Sequence, residues 1–334
     1  MAAKRLSLVI PTRDTRDITL RCLEKAAPLI AQGAELVVVD DGSRDGTAEA
    51  VRERFPGAKV LVNAEARRFG ASANRGLAEA GGEILLLLNS DTEVDAPTVA
   101  AMAAAFDREP RLGAAGAELR NADGSPQWSA GVAPTRPWLF AMATGVPALL
   151  GSWPGYRRLR PVGSAERARV DWVSGAALAI RRSAWAEVGP FDESYGFYGQ
   201  DVDFCLRLRD AGWAVRIVPG WLVTHLGGAT IGSREGAAGG RHPGLLWTDF
   251  LRLGEKRHGP GWAKSAARLM RWGASLRLAG RALLAPFVAR SRRAGFDAET
   301  EAHRRARAAV AGWSPGAARA TGGLGYPSPG TRRR

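Results

Sequence analysis

The sequence predicts an α/β protein: a mostly parallel sheet flanked by helices, followed by a basic helical C-terminal extension. Three observations carry that expectation. Four apolar runs of strand length, at 6–10, 35–39, 59–62 and 83–88, alternate with helical patterns around 16–32, 46–54, 70–80 and 95–107. A βαβα order of this kind lays strands side by side with helices over both faces. The chain has 334 residues, 46% hydrophobic and 24% charged, with no fixed-period repeat. That suffices for a packed core and excludes a solenoid or a disordered chain. The formal charge of +14 is not spread evenly: residues 1–250 hold 29 basic and 29 acidic side chains, and residues 251–334 hold 18 and 4. A neutral globular unit over 1–250, a basic amphipathic region over 251–313 and a disordered Gly/Pro/Ser-rich tail over 314–334 are expected.

Past the fourth strand the pattern loosens. Residues 117–170 are rich in Gly, Pro and Trp, including Trp128, Trp138 and Trp153, and long irregular stretches in compact domains are usually lids or ligand loops. A strand at 170–180, a helix at 183–188, a Gly/Tyr-rich loop, a helix at 200–211 and a strand at 214–218 follow, with His225 closing the segment. Cys22 and Cys205 both fall in amphipathic helical patterns, which fits buried thiols better than a disulfide framework. The apolar run before Pro11 has five residues, too short for a secretory signal, and Trp138 to Leu150 is too short to span a bilayer. A cytoplasmic protein, peripheral on the inner face of a membrane, is expected.

Parallel sheets place ligands outside the carboxyl ends of their strands. The residues at those ends are Pro11-Thr12-Arg13, Asp40-Asp41-Gly42-Ser43, Asn63 and Asn89-Ser90-Asp91. A carboxylate doublet there can accept from a base N–H and from ribose hydroxyls, while Ser43 or Asp45 caps the next helix. Gly70, Asn74 and Gly76 frame a helix whose N-terminal end, with Arg67 and Arg68, faces phosphates or simply solvent. Asp91 suits a hard divalent cation that keeps its other positions for phosphate and water. Asp201 opens a helix whose positive end is expected to keep a general base ionised, with Asp203 as its competitor. His225, before a Gly pair, is either structural or a metal ligand.

In this order and spacing the motifs resemble family 2 glycosyltransferases of GT-A fold, especially the bacterial rhamnosyltransferase-like branch of surface polysaccharide assembly. The resemblance covers roughly residues 5–230. It is carried by LSLVIPTRD, VVVDDGSRDGT, the N-x(6)-G-x(3)-N-x-G run of 63–76, LLLLNSDTEV, SGAALAIRR with its GPFDE sequel, and YGQDVDFCLRLRDAGW. It implies a nucleotide-sugar half over 1–116 and an acceptor half over 117–250. By the same resemblance Asp40 and Asp41 contact the nucleotide, with Pro11, Thr12, Arg13, Gly70, Asn74 and Ser90 in the donor site. Asp91 and His225 hold Mg²⁺ or Mn²⁺, Asp201 is the general base, and Gln200, Trp172 and Gly175 line the acceptor side. Two departures stand out: Asn89 occupies the first place of the family's D-x-D, and Gln200 replaces the usual Glu.

The implied reaction is inverting transfer from a nucleoside-diphosphate sugar to a glycan or lipid-linked acceptor. A catalytically silent sugar-nucleotide-binding protein is the alternative suggested by Gln200. Nucleic acid is a less favoured partner, since the basic C-terminal region carries no DNA- or RNA-reading motif. A nicotinamide enzyme is disfavoured because no G-x-G-x-x-G follows the first strand. Between Trp262 and Val288, apolar residues at helical spacing alternate with Lys264, Arg268, Arg271, Arg277 and Arg281. Such a helix either lies on an anionic membrane surface or packs on the domain with its basic face in water.

Overall fold

The computed structural model describes residues 5–146, 170–196, 198–227 and 243–316. Trp153 and the tail beyond 316 lie outside the described residues. The four sequence-derived strands form as β1 (Leu6–Thr12), β2 (Glu35–Asp40), β3 (Lys59–Val62) and β4 (Ile84–Leu88), separated by α1 (Arg16–Ala31), α2 (Thr47–Arg54) and α3 (Arg68–Glu79). β1 pairs in parallel with β2 and β4, and β2 with β3. The apolar runs of β1, β2 and β4 are continuous because both faces are covered: Val9, Val37, Val39, Leu85 and Leu87 enter one core, and Leu8, Ile10, Val38, Leu86 and Leu88 the other, while β3 is a half-exposed edge. Helix α3 lies close on the sheet because Gly76 has no side chain; a Cβ there would sit 2.5 Å from Val9 Cγ1.

The sheet is mixed rather than mostly parallel. Its eight strands run in the order β3-β2-β1-β4-β9-β6-β10-β5. Here β5 is Thr92–Val94, β6 Leu112–Arg120, β9 Ala177–Arg181 and β10 Ala214–His225; α4 (Ala96–Arg108) links β5 to β6. β9 is antiparallel to both β4 and β6, and β5 is antiparallel to β10. The expected strand at 170–180 is two strands: β8 (Trp172–Val173), paired with β7 (Ala130–Gly131), and β9, with Ser174-Gly175-Ala176 between them. β6 escaped sequence reading because LGAAGAELR is built from small residues. β10 runs seven residues past its expected end at 218 because Pro219-Gly220 reads as a stop but forms an irregularity inside the strand.

The expected boundary near 250 falls inside α8 (Pro243–His258). α8, α9 (Pro260–Leu284) and α10 (Arg290–Ala311) do not form a core of their own. Trp247, Phe250, Leu251, Met270, Ala306 and Val310 are buried in the same cluster as Val9, Leu85 and Leu178 of the sheet. At ~1.5–3 kcal/mol for each large apolar side chain removed from water, these helices add substantially to the stability of the whole unit. α5 (Arg136–Thr144), α6 (Arg182–Val188) and α7 (Gln200–Asp210) complete the helices between sheet and extension.

Candidate active site

The carboxyl ends of β1, β2 and β3 are level: Thr12 stands opposite Asp40, and Asp40 opposite Val62. The two members of the carboxylate doublet have different fates. Asp40 is buried; its Oδ1 accepts from the Ser43 N–H at 2.7 Å, and its Oδ2 has no hydrogen-bond partner among the described residues. Burial pushes its carboxyl up from the ordinary value, against the pull of Ser43. A buried acceptor without a partner at a sheet's ligand edge is suited to N–H or O–H groups of a bound nucleotide. Asp41 is used by the chain itself. It accepts from Asn63 Nδ2 (2.7 Å), Ser72 Oγ (2.8 Å) and the backbone N–H groups of Arg67 (2.8 Å) and Arg68 (3.0 Å). It therefore holds Arg68 at a φ of 75° and fixes the entry to α3, a role the resemblance did not assign.

Three further expectations change. Asn74 is engaged by the chain itself: its Nδ2 donates to the Phe191 carbonyl and Glu193, and its Oδ1 accepts from the Phe191 N–H, clamping α3 to the GPFDE loop. Trp172 is buried, its Nε1 donates to the Val132 carbonyl, and its ring meets Trp128 edge-on at 5.2 Å, so it packs as part of the core. Trp128 and Trp138 continue that aromatic row to Phe250 of α8. Thr12 and Ser90 are buried in a hydroxyl chain through Thr15 and Thr19. Arg67 sits across from Glu193 at 3.6 Å. Asp45, expected as a cap of α2, sits one residue before that position: Gly46 takes the cap at a φ of 78°, and Asp45 accepts from the Thr47 N–H at the first helical residue. Pro11 and Arg13 lie at the end of β1, and Gly70, where a Cβ would meet nothing within 4 Å, borders open space.

The pairing of β5 with β10 sets His225 opposite Thr92, next to Asp91. His225 Nε2 lies 3.3 Å from Asp91 Oδ1 and 3.4 Å from Asn89 Nδ2. Its Nδ1 lies 2.7 Å from Gln127 Oε1, while Gln127 Nε2 donates to Asn121 Oδ1. With the amide so oriented, Nδ1–H donates to Gln127 and Nε2 is the ring nitrogen turned toward Asp91. Among the described residues no group of three or more His, Cys, Asp or Glu is placed to hold a metal. Two donors 3.3 Å apart nevertheless fit a hard cation, whose neighbouring ligands at ~2.1 Å lie ~3 Å apart and whose other positions go to phosphate and water. The residues present therefore fit Mg²⁺ or Mn²⁺. Gln127, which sequence reading passed over, lies in the irregular segment and gives no motif signal.

Asp201 is joined to this corner through two residues. The Gly175 N–H donates to Asp201 Oδ2 at 2.9 Å, and the Ala176 carbonyl accepts from the Asn89 N–H at 2.9 Å. The helix N-terminus was expected to dominate the Asp201 carboxyl. Burial is the larger influence instead, raising it above the ordinary value against the N–H groups of Gly175 and Val202. Asp203, its competitor, is engaged by Arg207 and Lys256. Gln200 is buried at the helix start. The preceding turn passes through Gly199 at a φ of 89° and is held by α8: Asp249, fully buried, accepts from the Gly196 and Tyr198 N–H groups at 3.0 Å each. Cys22 and Cys205 are buried free thiols, each pushed by burial up to about 12.

The sequence matches Glycosyl transferase family 2 over residues 7–147 and Glycosyl transferase family group 2 over residues 154–292. The chain belongs to glycosyltransferase family 2. N-acetylglucosaminyl-diphospho-decaprenol L-rhamnosyltransferase of Mycobacterium tuberculosis is 35% identical over 210 residues, 57% of this chain. That match covers 66% of the relative, just under two thirds of its length. Rhamnosyltransferase WbbL of Escherichia coli K12 is 39% identical over 56 residues, 17% of this chain and 21% of that protein. The mannosyltransferase PcManGT of Pyrobaculum calidifontis, solved with GDP-Man and Mn²⁺, aligns with a TM-score of 0.56 at 17% identity over 92% of this chain and 86% of its own. That likeness establishes the GT-A fold for this family 2 glycosyltransferase.

Proposed function

We infer that this family 2 glycosyltransferase is an inverting hexosyl- or rhamnosyltransferase in cell-envelope polysaccharide assembly. It moves a sugar from a nucleoside diphosphate to a hydroxyl of a lipid-linked glycan, at the inner face of the membrane. The observation that carries this reading is the junction at Gly175-Ala176, which ties the Asp201 carboxylate to the Asn89–Asp91 turn. The M. tuberculosis relative, named for rhamnosyl transfer to a decaprenol-linked acceptor, supports the choice of sugar and acceptor.

Asp40 Oδ2 accepts from the nucleotide, and Asp91 and His225 Nε2 hold a divalent cation in the tautomer that Gln127 imposes. When bound, that ion neutralises the charge that collects on the departing diphosphate. Asp201 takes the proton of the acceptor hydroxyl as its oxygen bonds to the anomeric carbon from the face opposite the diphosphate. The bond from that carbon to the phosphate oxygen breaks with its electron pair leaving on the diphosphate, so the configuration inverts. A carboxyl raised by burial suits the task, since a base works best with its pKa near the working pH.

The test is a screen of UDP-, dTDP- and GDP-sugars with Mn²⁺, reading nucleotide release with and without a polyprenyl-diphosphate-linked acceptor. A rhamnosyl donor turned over faster with acceptor is the expected result. Binding of a donor without turnover under any condition would support the silent-binder alternative instead.

A further inference from the structure

The C-terminal part of α9 is amphipathic in the reverse of the usual sense. Its first half behaves as a packed helix, with Ala263, Ala266, Ala267, Met270, Gly273 and Ala274 buried. Beyond Gly273 the inward side carries arginines. Arg277 reaches Glu299 of α10 at 3.2 Å, and Arg281 donates to Glu299, Thr300 and the Phe296 carbonyl. These two arginines, read from sequence as part of a free basic face, are thus spent on holding α10. The outward side is apolar: Trp272, Leu276 and Leu283 are 59%, 48% and 75% exposed, and at the end of the helix Leu284 (59%) and Phe287 (85%), in the turn to α10, are exposed as well. At 100° per residue, Trp272, Leu276 and Leu283 fall within about 40° of one another, so they form one ridge.

Large apolar side chains exposed together in one ridge mark a surface that meets a partner or a membrane. Charges flank it at both ends. Arg268 and Arg271 lie on the α9 side, and Arg290 and Arg292 open α10; all four are exposed and have no ion-pair partner among the described residues. Protruding aliphatic and aromatic tips between cations match a bilayer interface, where tips enter the acyl boundary and guanidinium groups meet lipid phosphates. No described helix is long and apolar enough to cross a membrane. We propose that the α9–α10 corner, led by Leu283, Leu284 and Phe287, inserts into the surface of an anionic bilayer. This deepens the proposed function, from which it takes the lipid-linked acceptor.

The test uses the full chain and vesicles that contain neither donor nor acceptor. Wild-type protein is expected to co-sediment with phosphatidylcholine vesicles containing phosphatidylglycerol and to stay in solution with phosphatidylcholine alone. The double variant Leu283→Asp/Phe287→Asp, altered only at exposed positions, is expected to melt like wild type and to lose binding by about a hundredfold. A single Phe287→Cys variant adds an independent reading: maleimide should label it in the free protein, and vesicles should protect it. Three results would overturn the assignment: unchanged binding of the double variant, protection of position 287 without vesicles, or a wild-type dimer that this variant dissociates. Donor hydrolysis with Mn²⁺ by the double variant is read separately, so failure of the enzymatic reading leaves the membrane result standing, and the reverse.

Discussion

Gln127 Oε1 accepts from His225 Nδ1 at 2.7 Å, and that contact decides which ring nitrogen faces Asp91. Second partners of this kind commonly change metal affinity by ~10–100-fold. Gln127→Leu frees the ring and is expected to weaken Mn²⁺ binding within that range. Gln127→Glu, which keeps an acceptor for Nδ1–H, should retain more of it. Titration calorimetry with Mn²⁺ and nucleoside diphosphate measures both; equal affinities in all three proteins would remove Gln127 from the site.

Asp201 allows a test with a sign. Burial raises its carboxyl, so the folded chain holds that proton more tightly than the unfolded chain does. The stability it contributes is fully present below the unfolded value of ~3.9 and is lost as pH rises through the higher folded value. At neutral pH the ionised group therefore costs stability. Asp201→Asn is expected to lower kcat by ~10²–10⁴-fold. It should also melt above wild type at neutral pH, with the gain shrinking as the pH falls. Thermal unfolding across pH, beside turnover, checks both halves. Intact turnover in the variant would end the base assignment.

Asp40 and Asp41 are adjacent but should fail differently. Asp40→Asn keeps an acceptor for Ser43 and turns the second oxygen into a donor. Nucleotide affinity is expected to drop by about tenfold or more with little change in melting. Asp41→Ala strips four hydrogen bonds from the 63–72 segment and is expected to cost roughly 3–5 kcal/mol in denaturant unfolding. The reverse pattern would exchange their roles.

Asp249 tests whether the C-terminal helices belong to the catalytic unit. Asp249→Ala leaves the Gly196 and Tyr198 N–H groups without their acceptor just before Gln200 and Asp201. A kcat loss larger than any change in donor KM is expected, together with destabilisation of about 2–5 kcal/mol. Deleting 255–334 should lower the melting temperature as well as membrane binding, because Met270, Ala306 and Val310 are core residues. A deletion that melts like the full chain would restore the picture of a separate appendage.

The sequence by itself determined the first four strands, their helices and the ends where carboxylates gather. Continuous apolar runs between helical patterns admit little else than a covered parallel sheet, and turn residues mark each strand's end. It also determined that the excess charge lies in the last quarter of the chain. What it did not determine is how distant segments meet. The small-residue strand β6, the irregular β10 and the split between β8 and β9 carry weak periodicity, so the mixed sheet that sets His225 beside Asp91 emerged only on folding. Side-chain partners are likewise tertiary facts. Asp41 turns inward to Asn63 and Ser72, Asn74 to Phe191, and Arg277 and Arg281 to Glu299, because each finds a backbone or charge partner that sequence spacing does not reveal. The basic region therefore did not divide into a charged face and a packed face by periodicity. Packing against α10 took the arginines inward and left the leucines and Phe287 in the open, since a cation finds compensation at Glu299 and an apolar tip there would not.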